Sequence, residues 1–266
     1  ARDMTLRGLD ILASADLIAA EDTRTARKLM EIHGVPLGIR QVVAYHDHSG
    51  EKPTERLVRA VSEGKSVAYV SEAGTPLVAD PGYELGAAMI AADLPVTTAP
   101  GASAVLAALT VSGLATDRFA FIGFLPSAKT QRETEIAELR DMPLTLVFYE
   151  SPKRLHDMLM SLRDVLGGDR RAVVCRELTK KFEETTRGSL DDLVADFADR
   201  KVKGEIVVLV DRGNGEKIGE NDVQAALVDA MRTMRVKDAA TMVAGAMGLP
   251  RRQVYQMALG LEKDDE

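Results

Sequence analysis

The chain has 266 residues, of which 45% are hydrophobic and 28% charged, and this is enough to bury more than one core. Its formal net charge of −7 argues against a protein that coats nucleic acid non-specifically, because such binding depends on neutralising phosphates. The single cysteine excludes a disulfide framework within one chain, and no apolar run reaches the roughly 18 residues of a membrane span, so a cytoplasmic location is expected.

The first half of the chain alternates helices with short apolar strands. Strands are predicted over 16–20, 41–45, 67–70 and 96–99. Helices are predicted from an Asp3 cap through Leu12 and over 25–33, 53–63, 83–92 and 102–112. Regular alternation of this kind is typical of a parallel sheet, and it predicts an α/β fold class.

The second half begins after a predicted domain boundary at 113–117 and continues the alternation. Strands are predicted over 118–123, 144–149, 171–176, 184–188 and 205–211. Helices are predicted over 130–141, from a Ser151 cap to Gly167, and from a Ser189 capping box with Asp192 to about Ala198. These patterns predict two α/β domains, residues 1–114 and 115–213.

A polar, glycine-rich linker over 213–219 separates these domains from a small helical domain, residues 220–266. Three helices are predicted there, over 222–234, 237–247 and 251–261. The last two flank Gly248-Leu249-Pro250, an arrangement that resembles a helix-turn-helix and favours contact with nucleic acid. The alternative is a small packing appendage.

The most informative stretch is the strand over 67–70, which ends in Ser71-Glu72-Ala73-Gly74-Thr75-Pro76. Ligands of open α/β sheets bind at the carboxyl ends of strands, where glycine lets the backbone approach them. This stretch therefore predicts a ligand-binding loop. An ordinary strand-to-helix turn is the alternative.

Carboxylates follow several of the predicted strands, which predicts that they share one cleft. The residues are Glu21, Asp22, Glu72, Glu150 and Glu177. Such a cleft could supply a general base, although each carboxylate could instead form an ion pair with Arg24, Arg154 or Lys180. His46 and His48 lie on one side of an extended segment, but the sequence offers no third ligand, so no metal site is predicted.

Six short motifs occur in one order along the chain. They are 71–76, Asp80-Pro81-Gly82, Pro100-Gly101-Ala102-Ser103, Gly123-Phe124-Leu125-Pro126, Phe148-Tyr149-Glu150-Ser151 and Arg176-Glu177-Leu178-Thr179-Lys180. Together they closely resemble the tetrapyrrole methylase superfamily, from about Leu9 to Gly213 and on into the helical segment. Within it, the chain is similar to bacterial enzymes that 2'-O-methylate a cytidine ribose in 16S ribosomal RNA of the small subunit.

The resemblance implies S-adenosylmethionine as cofactor, folded between the two α/β domains. The cofactor-binding residues that it implies are Ser71, Ala73, Gly74, Thr75, Leu77, Pro100, Gly101, Ala102, Ser103, Tyr149, Glu177 and Leu178. Relatives open with a strand and a Pro-Ile-Gly-Asn loop that borders the cofactor. This chain starts just beyond that position, so we expect it to bind the cofactor poorly as given.

The same reading predicts catalytic and RNA-binding residues. The candidate catalytic residues are Glu150, Glu21 and Asp22, because a base must accept the ribose hydroxyl proton. The candidate RNA-binding residues are Lys129, Arg132, Arg154, Lys180, Arg251 and Arg252, which could neutralise phosphates, although scattered basic residues are also common on solvated helix surfaces. We further expect a homodimer. C-methylation of a tetrapyrrole and a non-catalytic RNA- or ribosome-binding module are the alternative functions.

Overall fold

A computed structural model describes residues 1–46, 49–213, 220–247 and 250–264, apart from the side chains of 220–222 and 262–264. Three predicted features lie outside the described residues: the Asp47-His48 segment, most of the 213–219 linker and the Gly248-Leu249 turn. In the ranges described, no helix is long and apolar enough to cross a membrane.

The first domain contains a parallel sheet, as the alternation predicted. Its elements are α1 (Leu6–Ser14), β1 (Leu17–Ala20), α2 (Thr23–Ile32), β2 (Gln41–Ala44), α3 (Glu51–Ser62), β3 (Val67–Val70), α4 (Tyr83–Ala91) and α5 (Ala104–Ser112). The strand order is β2-β1-β3, with both pairings parallel. All four residues of β1 are buried, so this central strand is covered on both faces.

Two predictions for this domain are wrong. The segment 96–99 is not a strand, because the described sheet ends at β3. Helix α1 is capped by Thr5 instead of Asp3, since the Thr5 hydroxyl oxygen accepts the Gly8 amide at 3.1 Å.

The second domain contains a mixed sheet. Its elements are β4 (Phe119–Phe124), α6 (Lys129–Glu138), β5 (Thr145–Glu150), α7 (Leu155–Leu166), β6 (Arg171–Arg176), β7 (Glu184–Ser189), α8 (Leu190–Phe197) and β8 (Ile206–Val210). The order is β4-β5-β8-β6-β7, in which β4 and β5 are parallel and the other pairs antiparallel. The short connection between β6 and β7, residues 177–183, allows these two strands to pair antiparallel.

Both faces of this second sheet are buried. Residues of α6, α7 and α8 pack against one face, which we call the outer face. Val105, Ala108 and Leu109 of α5 pack against the other, which we call the inner face. Helix α5 therefore joins the first domain to the second sheet.

The capping box at Ser189 and Asp192 is confirmed, and α8 begins there. The Ser151 cap is wrong, since α7 begins at Leu155 with Arg154 as its N-cap residue. The reason is local. The Glu150 carboxylate accepts the Ser151 amide at 2.7 Å, and the Arg154 amide donates to the Ser151 carbonyl at 3.1 Å, which closes a turn before the helix.

The C-terminal segment forms the three predicted helices, and these helices share one apolar core. They are α9 (Glu220–Met231), α10 (Val236–Met247) and α11 (Arg251–Asp264). Val223, Leu227, Val243 and Val254 are among the residues buried between them. Their apolar faces pack on each other, so the segment has a core of its own.

Candidate functional site

The loop after β3 and the loop before α5 are hydrogen-bonded to each other. The Thr75 hydroxyl donates to the Ala102 carbonyl at 2.9 Å. A Cβ on Gly74 would lie 3.8 Å from the same carbonyl oxygen, so the two backbones run side by side. The Thr5 hydroxyl donates to the Pro100 carbonyl at 3.1 Å, which ties the second loop to the start of α1.

Other predicted cofactor-binding residues belong to the same two loops. Ser71 donates to the Ala73 carbonyl at 3.2 Å, within the first loop. Gly101 and Ser103 flank Ala102 in the second, and Ser103 is the N-cap residue of α5 without a side-chain capping bond. The first-turn amides of α5 consequently lack a side-chain partner from Ser103.

Among the described residues, four of the five non-glycine residues with left-handed backbone lie in two of the loops. Leu77 and Ala79, with φ of 73° and 55°, lie after β3, and Glu177 and Thr179, with φ of 51° and 62°, lie after β6. Non-glycine residues at positive φ cost energy and are enriched at functional sites. Their position in the predicted cofactor loops fits a ligand site.

Tyr149 brings the second sheet to this site. It belongs to the apolar cluster that contains Val105 of α5 and against which Leu178 also packs. Burial raises the pKa of Tyr149, and the negative charge of Asp80 in the loop after β3 raises it further, whereas the Val105 backbone amide lowers it. The Asp80 charge and the Val105 amide therefore both act on the Tyr149 side chain, which relates this residue of the second sheet to the loop after β3 and to the first turn of α5.

Glu150 does not face this site, which corrects its prediction as a catalytic base. Successive residues of a strand point to opposite faces, and Phe148 packs on the outer face, so Glu150 does too. Its side chain is fully buried and forms an ion pair with Arg154, with the Oε2 and guanidinium nitrogen 3.0 Å apart. It holds a turn and an arginine in place.

Arg132 is also corrected as a phosphate contact, whereas Arg154 stays a prediction because its side chain is 32% exposed. Arg132 is only 5% exposed and donates to the Ser161 hydroxyl and the Ser127 carbonyl, each at 3.0 Å. Arg154 donates to the Leu125 carbonyl at 2.5 Å. Both guanidinium groups therefore bind the loop after β4, Arg132 from a buried position and Arg154 with a side chain that is 32% exposed.

The two carboxylates after β1 differ in their surroundings. Asp22 caps α2 by accepting the amides of Arg24 and Thr25, and it forms an ion pair with the Arg24 side chain. Hydrogen bonds from Arg24 lower the pKa of Asp22 to about 2, which makes it a weak base. Glu21 accepts the Glu72 amide at 3.1 Å and is partly exposed at the loop after β3.

Glu177 holds the loop after β6. Its carboxylate accepts the Glu205 amide at 3.0 Å and the Lys180 ammonium at 3.1 Å, and these bonds lower its pKa. A Cβ on Gly204 would lie 2.4 Å from the Glu177 side chain, so only glycine fits there. Lys180 is 41% exposed and shared between Glu177 and Glu205, which reduces the charge that it offers to a phosphate.

The other predicted RNA-binding residues are exposed. Lys129, 69% exposed, begins α6, where Glu133 lies 3.5 Å away. Arg251 and Arg252 are exposed in the first turn of α11. All three can reach a ligand in solvent.

Sequence reasoning missed several residues of the site. Asp80, Val105 and Phe124 approach Tyr149, and the Thr179 hydroxyl donates to the Asp3 carboxylate at 2.8 Å. The Asp-Pro-Gly motif at 80–82 was a signal for Asp80. Gly123 inside a predicted strand was a signal for an irregular backbone before Phe124. The metal hypothesis involving His48 lies outside the described residues, which gather no group of three metal-ligating side chains elsewhere.

Two families match successive parts of the chain. Residues 1–194 match the family described as Tetrapyrrole (Corrin/Porphyrin) Methylases. Residues 218–262 match the RsmI C-terminal HTH domain. The second match falls on the helical segment α9 to α11.

Relatives of similar length match nearly the whole chain. Ribosomal RNA small subunit methyltransferase I of Mesorhizobium japonicum is 42% identical over 98% of this chain and 88% of its own. The protein of the same name from Halalkalibacterium halodurans is 40% identical over 96% of this chain and 89% of its own.

Solved structures share the fold of the two α/β domains. The methyltransferase CobJ covers 79% of this chain and 89% of its own, with a TM-score of 0.61 and 21% identity. A diphthine synthase covers 79% of this chain and 85% of its own, with a TM-score of 0.61 and 18% identity. At these identities the likeness concerns the fold alone.

Proposed function

The chain belongs to the tetrapyrrole methylase family, and from this premise we propose that it transfers a methyl group from S-adenosylmethionine to the 2'-hydroxyl of a cytidine ribose in 16S ribosomal RNA. The observation that carries the proposal is the match of the helical segment to the RsmI C-terminal HTH domain, in a chain about 40% identical to small-subunit methyltransferases throughout. This segment distinguishes an RNA enzyme from the tetrapyrrole branch of the family. The substrate is therefore RNA.

The site between the loops fits S-adenosylmethionine. The cofactor supplies an electrophilic methyl group on its sulfonium. Gly74 lets the backbone come close to a ligand, and the first turn of α5, which Ser103 does not cap with its side chain, is suited to a carboxylate because helix N-termini attract anions. Leu77, 40% exposed, and Leu178 supply apolar surface for an adenine.

We assign the base role to Glu21. Of the three carboxylates predicted to be catalytic, Glu150 is buried on the outer face and Asp22 is occupied by Arg24. Glu21 lies at the loop after β3, and its Oε2 is fixed by the Glu72 amide. A carboxylate held in this way can accept the proton of a ribose hydroxyl as the oxygen attacks the methyl group.

The base assignment has its own test. Glu21→Gln preserves an oxygen that accepts the Glu72 amide but cannot take a proton, so the single-turnover rate should fall by roughly 10²–10⁴ with unchanged cofactor affinity. Glu72→Gln is the matched control and should retain most of the rate. Equal rates for Glu21→Gln and the wild-type enzyme would refute the assignment.

RNA recognition should depend on the fold of a ribosomal particle. Aromatic residues are only 4% of the chain and include no Trp, which leaves few platforms for stacking several bases of a free strand. The exposed Lys129, Arg251 and Arg252 remain suitable phosphate contacts. A homodimer located in the cytoplasm remains part of the proposal.

The deciding experiment is mass mapping of 16S ribosomal RNA from a strain that lacks the gene. One cytidine should lose a ribose methyl group, and the wild-type gene should restore it. Purified full-length protein should then methylate small subunits from that strain better than a short unstructured oligonucleotide. An unchanged modification map would refute the proposal, and a methylated tetrapyrrole would favour the other branch.

A further inference from the structure

A bulge in β4 turns Phe124 towards the site. The register of β4 against β5 shifts between Phe121 and Gly123, and Gly123 has a φ of 82°. Before the shift, Ala120 and Ile122 pack on the outer face. Regular alternation would place Phe124 on that face too, but one extra residue reverses the alternation, as bulges do beside active sites.

After the bulge, Phe124 pairs with Tyr149 and its ring lies against the Tyr149 ring, with centroids 5.7 Å apart and planes at 64°. The Phe121 ring also contacts the Tyr149 ring, with centroids 4.8 Å apart. Phe121 is partly buried in the inner-face cluster, whereas Phe124 is 55% exposed. One ring of this aromatic group is thus open to solvent beside the cofactor residues.

Two arginine side chains hold the loop that follows Phe124. Arg154 donates to the Leu125 carbonyl and Arg132 to the Ser127 carbonyl. The buried Glu150 carboxylate forms an ion pair with Arg154. Phe124 follows the bulge, and the backbone after it is held by hydrogen bonds from two arginine side chains. Its orientation is therefore set by the fold.

We propose that Phe124 is a stacking platform for the base of the nucleotide that is methylated. To reach a methyl donor, a ribose in RNA must leave its neighbours, and its unstacked base then needs an aromatic face. Phe124 offers that face next to Tyr149, and the exposed Lys129, at the start of α6 after the next loop, can contact phosphate. The inference rests on the proposed function and adds the residue that holds the base.

The test uses an aromatic series at position 124 in the full-length enzyme, with small ribosomal subunits from a strain lacking the gene as substrate. Phe124→Tyr and Phe124→Trp should keep kcat/KM within about threefold, and Phe124→Leu and Phe124→Ala should lower it roughly 5- to 150-fold. Phe119→Ala changes an exposed ring at the far end of the same strand and should have little effect. Cofactor affinity and sedimentation should be unchanged throughout.

Each alternative gives a different result. Equal rates for Phe124→Leu and the wild-type enzyme would overturn the stacking role, because leucine retains apolar bulk without an aromatic face. A loss of cofactor affinity would place the ring against the methyl donor, and altered sedimentation would place it against a second copy of the chain; either would overturn the inference. If the wild-type enzyme methylated no subunits, the proposed function itself would fail.

Discussion

Replacing Arg132 separates a structural arginine from an RNA contact. Arg132→Met keeps an unbranched side chain but removes the bonds to the Ser161 hydroxyl and the Ser127 carbonyl. Each hydrogen bond from a charged donor contributes about 1.5–3 kcal/mol, and burial of the methionine offsets about 1 kcal/mol. The expected loss is about 2–5 kcal/mol, which corresponds to a Tm roughly 4–20 °C lower for a chain of this size.

Calorimetric unfolding of Arg132→Met and of Lys129→Met provides the comparison. Lys129 lies in the same helix and is 69% exposed, so its replacement should change Tm little but weaken RNA binding and reduce its salt dependence. Ser161→Ala should destabilise the wild-type protein and have a much smaller effect in the Arg132→Met background, because the two side chains share one bond.

The reasoning would be refuted by the opposite pattern. If Arg132→Met kept the wild-type Tm and lowered RNA affinity as Lys129→Met does, the guanidinium would face solvent and phosphate. The loop after β4 would then need another anchor.

Three further substitutions, one of them with a matched control, test the first domain. Gly82→Ala should destabilise the protein by about 2–4 kcal/mol in chemical denaturation, since the new Cβ would lie 2.4 Å from the Tyr69 ring and the backbone has a φ of 112°. Gly64→Ala is the control. Its Cβ would meet open space, so it should cost only about 1 kcal/mol in the same assay. Hydrogen bonds from the adjacent arginine lower the pKa of Asp22 to about 2, so the ionised carboxylate stabilises the fold above the unfolded pKa of ~3.9. Asp22→Asn should therefore have a lower Tm than the wild type at neutral pH. The two Tm values should converge as the pH falls from about 4 to about 2. Gly74→Val should weaken S-adenosylmethionine binding in calorimetry, and unchanged affinity would remove this loop from the cofactor site.

Sequence periodicity located most strands and helices because their apolar runs end at glycine, proline or capping residues. The Ser189 capping box and the parallel β2-β1-β3 sheet followed from such local signals. Segment 96–99 has the composition of a strand but lies outside the described sheet. Strand formation requires a neighbouring strand, which composition does not specify.

The site was harder to predict because both faces of β5 are buried. A strand that reads Leu-Val-Phe-Tyr-Glu has no polar face to indicate which residues point to a cleft. Tyr149 and Glu150 follow each other in one motif, yet they lie on opposite faces of the sheet. Likewise, Lys129 and Arg132 are three residues apart in one helix and differ completely in burial. Only tertiary packing separates these pairs.

Helix α5 explains how one ligand can engage both domains. At its C-terminus, Arg187 donates to the Val111 and Ser112 carbonyls, and Arg171 donates to the Gly113 carbonyl at 3.3 Å. These cations come from strands of the second sheet and satisfy carbonyls that the helix leaves unpaired. At its N-terminus, where Ser103 makes no side-chain capping bond, the preceding loop is hydrogen-bonded to Thr75 of the first domain. A methyl donor bound there would contact a helix that the second sheet already holds, so cofactor binding would stabilise the relative orientation of the two domains.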